Sequence, residues 1–95
     1  MKKRFFIVVK AKRENRLLDE VVLEFNRETT QKRIESEIHM AERDLQKYWN
    51  LNGIVFSSLY AETEQDAKRS QFWSVAPGKH SITGDKDRGH WVVIN

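Results

Sequence analysis

Two alternating runs open the chain. In "RFFIVVKAK", Phe5, Ile7, Val9 and Ala11 share one face, while Phe6 and Val8 on the other give way to Lys10 and Lys12. Apolar side chains on both faces at the start, and lysines later, predict an interior strand whose far end reaches solvent. After the polar turn "RENR", the run "LLDEVVLEF" sets Val21, Leu23 and Phe25 against Glu20, Val22 and Glu24. The pair reads as an antiparallel hairpin.

From Thr29 or Thr30 the period changes from two to about 3.6. Ile34, Ile38, Ala41, Leu45 and Tyr48 step by four, three, four and three, with Trp49 beside them, which is the apolar stripe of an amphipathic helix. A threonine caps its start, and "NLNG" ends it near residue 50. Then "IVFSSLYAE" alternates again, with Ile54, Phe56 and Tyr60 opposite Val55, Leu59 and Ala61. Thr63-Glu64-Gln65-Asp66 resembles a capping box with Asp in the last place, and predicts a short second helix to about Gln71. "FWSVA" fits either the end of that helix or the start of a strand, and "HWVVI" is a terminal strand with Trp91 and Val93 opposite Val92 and Ile94.

This order predicts an α+β fold: a small, mostly antiparallel β-sheet, one long amphipathic helix packed on one face, and a short second helix. At 95 residues the expectation is a single globular domain, 1–95. With 39% hydrophobic residues and Trp49, Trp73 and Trp91 spread along it, the chain has enough apolar area for a core. The apolar run Phe5–Val9 is too short for a signal peptide or a membrane span, so no membrane association is expected. The absence of cysteine removes disulfides and thiolate chemistry, and fits a cytoplasmic protein.

Charge changes the picture more than composition. The net charge of +3 is the balance of three unlike stretches. Residues 1–16 hold seven basic side chains (Lys2, Lys3, Arg4, Lys10, Lys12, Arg13 and Arg16) against Glu14, residues 17–66 hold five basic against eleven acidic, and the remainder five against two. The seven basic residues are the candidate contact set for a partner: they suit electrostatic steering of a protein, and equally phosphate contacts on a nucleic acid. If Phe6 and Trp91 lay on an uncovered sheet face they would add a stacking platform for single strands. The basic hairpin and the acidic helix also admit a symmetric homodimer.

Candidate chemistry centres on the end of the chain. His80 and His90, with Asp85 and Asp87 between them, offer imidazoles and carboxylates for a metal or a tuned general base. The spacing specifies neither. "DKDRG" starts like a calcium loop but has glycine at its fifth position and no twelfth-position glutamate. No phosphate-binding loop, dinucleotide fingerprint or serine-nucleophile elbow occurs. His39 falls about 140° around the helix from the apolar stripe and is expected in solvent, near Glu35 and Glu42. The expectation is therefore a binding protein without catalysis and without a cofactor that docks on a protein partner. Nucleic-acid binding through the basic hairpin is the alternative, and a small enzyme or metal site around His80 and His90 is third.

Overall fold

The hairpin closes through Glu14 and Asn15, both with positive φ (53° and 63°), the backbone that lets a two-residue connection follow the strands' own twist. It joins β1 (Arg4–Arg13) to β2 (Arg16–Asn26) in antiparallel register, with Phe5 opposite Phe25, Val9 opposite Val21 and Lys10 opposite Glu20. Between Ala11 and Lys12 the register shifts, so Leu18 has no direct partner. The computed structural model of the chain describes residues 3–73 and 88–95.

Strand β3 (Val55–Ala61) pairs antiparallel with the free side of β1, and β4 (His90–Ile94) pairs parallel with the free side of β2. The order is β3-β1-β2-β4, a mixed sheet with two antiparallel junctions and one parallel. Both inner strands are buried on two faces, as their opening apolar runs predict.

Helix α1 (Gln31–Trp49) covers one face. Thr30 caps it by accepting from the Arg33 amide at 3.2 Å, and Asn50, in the left-handed region (φ 49°), ends it with its amide on the Gln46 carbonyl. Ala41 and Leu45, with Ile34 and Ile38 beside them, pack on Phe5, Ile7, Val9, Val21, Leu23 and Phe25. The stripe read from the sequence is the stripe that is buried. His39 lies exposed on the far side, 3.4 Å from Glu42.

The second face is covered too, which corrects one expectation. Helix α2 (Glu64–Ser70), capped by Thr63, lays Ala67 on Phe6, Val8, Val22, Ala61 and Trp91. Trp91 is fully buried and meets Phe6 edge to face at 5.9 Å, so these rings form a second core and not an open stacking platform. Phe72 and Trp73 belong to neither helix nor strand, and the rest of "FWSVA" lies outside the described residues. Among the described residues no helix is long and apolar enough to cross a membrane.

Candidate functional site: buried carboxylates and a bare edge

Strand β2 carries two consecutive carboxylates, Asp19 and Glu20, and alternation sends them to opposite faces of the sheet. Both are fully buried. A buried carboxylate is costly unless its oxygens find donors. Asp19 Oδ1 accepts from the Glu20 and Gly89 amides, each at 2.8 Å. Oδ2 lies 3.0 Å from Trp49 Nε1, which donates to it, and 3.2 Å from His90 Nε2. Burial works to raise the Asp19 pKa. The hydrogen bonds from His90, the Gly89 amide and Trp49, with the charge of His90, outweigh it and hold the carboxyl below its ordinary value. Gly89 has φ 79°, and this left-handed turn brings its amide onto Asp19 just before β4 begins.

Glu20 does comparable work on the α2 face. Its Oε2 accepts from the amides of Phe72 and Trp73, both at 2.5 Å, and Oε1 lies 3.5 Å from Lys10 Nζ, which also donates to the Ser70 carbonyl at 2.7 Å. The Arg88 guanidinium lies 5.6 Å from the ring centre of Trp49 and 5.0 Å from that of Trp73. Further along β2, Glu24 pairs with Arg4 at 2.7 Å and accepts from Trp91 Nε1 at 2.9 Å.

Asp19 and His90 have the composition of an acid–base pair, but not its access. His90 is 3% exposed, its ring packs edge-on against Tyr48 at 6.2 Å, and its Nε2 is directed at Asp19. A general base needs a free ring nitrogen within reach of a substrate proton. His80, Asp85 and Asp87, the other members of that sequence constellation, lie outside the described residues. Among the described residues no three histidine, aspartate or glutamate side chains converge as a ligand set.

The six described members of the basic set do not converge on one surface. Arg4 is held by Glu24 and by the carbonyls of Glu24 and Ile94, at 3.1 and 2.8 Å, and Lys10 by Glu20 and Ser70. Lys12, Arg13 and Arg16 sit at the hairpin tip, while exposed Lys3 precedes the opposite end of β1, roughly 30 Å away at about 3.3 Å per residue. Lys2 lies outside the described residues.

The sheet edge has the most exposed apolar area in a strand. In β3, "VFSSLYA", Val55 is 68% exposed, Leu59 47% and Tyr60 59%, and the strand has no charged residue and no proline. Edge strands are ordinarily protected by just such residues. Beside it, an open groove of about 390 Å³ runs between α1 and the sheet, lined by Phe5, Ile7, Ile34, Ile38, Tyr60 and Arg27 among others. Arg27 ties this corner together through Glu62, which also accepts from the Tyr60 hydroxyl at 2.9 Å. The other edge, β4, is five residues long and has its Ile94 carbonyl taken by Arg4.

No family model, curated protein or solved structure matches the chain.

Of the two buried carboxylates, Asp19 had a signal in the sequence. Asp19 shares the parity of Val21, Leu23 and Phe25, so the alternation that assigns those three to the core assigns a carboxylate to it as well. A charge on the apolar side of a strand marks a site that must be neutralised or hydrogen-bonded. Its partners at Trp49, Gly89 and His90 are far away in sequence and had no such signal.

Proposed function

We propose that the chain is a non-catalytic binding domain that docks on a protein partner through the outer edge of β3. The observation that carries this reading is the uncharged, seven-residue edge strand with Val55, Leu59 and Tyr60 exposed along it. An unpaired edge offers a row of backbone donors and acceptors to an extended segment, and flanking apolar side chains supply the area that makes such pairing stable. One further feature supports binding over catalysis, and a second favours a protein over a nucleic acid. The acidic and imidazole groups of the Asp19 cluster spend their hydrogen bonds on one another and on backbone amides, and two of the seven basic residues are committed to internal ion pairs.

The basic set contributes steering from the hairpin tip. Lys12 is the β1 neighbour of Val55, so the start of the β3 edge lies in a positive field that favours acidic segments. A photo-reactive residue at position 59, introduced into the full chain and irradiated after nuclease treatment, is expected to crosslink protein, and Leu59→Lys is expected to abolish capture by a second reporter at Tyr60. Crosslinks to nucleic acid from Lys12 and Arg16 positions in a parallel sample without nuclease, with none to protein from position 59, would replace this reading with the nucleic-acid one.

A further inference from the structure

We infer that the strand seated on β3 is the β3 of a second copy of this chain, joined by a two-fold axis at Ser58 into a continuous eight-stranded sheet. The inference rests on the docking reading above and names its partner. Antiparallel pairing about Ser58 places Val55 opposite Ala61 of the other copy, Phe56 opposite Tyr60, Ser57 opposite Leu59, and Ser58 opposite itself. Each of these meetings is favourable. On the face shared with α1 an aromatic ring meets an aromatic ring twice, once on each side of the axis. On the opposite face, large residues meet small ones, Leu59 against Ser57 and Val55 against Ala61, so the two copies can approach without crowding.

Charge supports the same arrangement. A strand that pairs with itself brings each residue near its own copy, and any charge close to the axis would face its like; β3 has none. Among the described residues, the charges flanking its two ends differ in sign. Lys12 and Arg13 of β1 flank the Val55 end, and Glu62 and Glu64 follow the Ala61 end. The two-fold therefore sets the basic end of one copy beside the acidic end of the other. Glu62 and Glu64 have intramolecular partners in Arg27 and Lys68, yet their side chains are 58% and 52% exposed and keep open acceptor sites. A partner strand of unrelated sequence has no reason to reproduce this palindrome of size and charge.

The test uses Ser58, which is exposed and lies on the axis. The full-length chain is expected to sediment as a dimer at high micromolar concentration. Ser58→Lys and Ser58→Asp, each alone, are expected to weaken the dimer by about tenfold or more, because like charges then face each other across the axis. Unchanged far-ultraviolet circular dichroism, and unfolding midpoints that match the wild type at concentrations low enough for every protein to be monomeric, establish that both variants fold. An equimolar mixture of the two is expected to recover a heterodimer, since the facing charges are then opposite. A wild-type chain that stays monomeric to near-millimolar concentration overturns the inference while leaving the docking reading to the position-59 crosslink, which would then report a different protein. A dimer indifferent to both variants overturns this edge as the interface. Loss in both variants with no recovery on mixing overturns the register centred on Ser58.

Discussion

The two sides of the sheet are built on opposite plans. On the β2–β4 side, three carboxylates of β2 each gather donors from distant segments: Asp19 from α1, Gly89 and β4, Glu20 from the chain after α2, and Glu24 from Arg4 and Trp91. On the β3 side, the outer strand contains no charge, and three of its apolar side chains stand in solvent. Among the described residues, Asp19, Glu20 and His90 are consumed in holding the fold, whereas Val55, Leu59 and Tyr60, of the type that elsewhere fills the core, are left outside. Composition alone would have assigned these roles the other way round.

This contrast is most sharply broken at Asp19. Asp19→Ala leaves the Gly89 amide, Trp49 Nε1 and buried His90 without their acceptor, and is expected to cost about 3–5 kcal/mol in urea unfolding. Leu59→Lys, on the bare side, is expected to move stability by less than about 0.5 kcal/mol. Comparable losses at the two positions would erase the distinction between a side that holds the fold and a side that does not.

Acid should attack the same side first. The Asp19 pKa in the folded chain is lower than in the unfolded chain, so the unfolded state binds the proton more readily. The stability this group contributes is present in full above the unfolded value of about 3.9, and is lost as pH falls through the lower, folded value. Urea midpoints followed downward from neutrality are expected to drop below about pH 4, with a shallower drop in Asp19→Asn. Identical profiles for the two proteins would remove Asp19 from the account.

A smaller effect than that of Asp19 concerns Arg88. Its two aromatic neighbours, Trp49 and Trp73, make Arg88→Ala worth about 0.5–1 kcal/mol, with a change in tryptophan emission as the guanidinium leaves the rings. Lys12→Ala at the hairpin tip, which lacks such a contact among those described, is expected to change neither.

Much of the architecture was legible because it is periodic. The two strand alternations, the α1 stripe and the Thr30 and Thr63 caps are local patterns, and each marks an element of the fold. What escaped is what has no period. Helix α2 buries a single residue, Ala67, which makes no stripe, so nothing signalled that Phe6 and Trp91 would be covered. The internal roles of Arg4 and Lys10 depend on cross-strand register: Lys10 faces Glu20 only once the hairpin is aligned. Asp19 shares the parity of Val21, Leu23 and Phe25 and went unremarked as a misplaced charge. The groups that neutralise it carry no local signal, because they arrive from the other half of the chain.

The parallel seat of β4 also constrains the order in which the molecule can assemble. The hairpin joins neighbours in sequence, with Arg13 opposite Arg16, whereas Val22 must wait for Trp91, 69 positions later. Contacts of such long range require the largest loop closure and slow folding relative to local ones. The hairpin can therefore form on its own timescale while β4 supplies the closing event, and burial of the Trp91 indole beside Phe6 belongs to that last step.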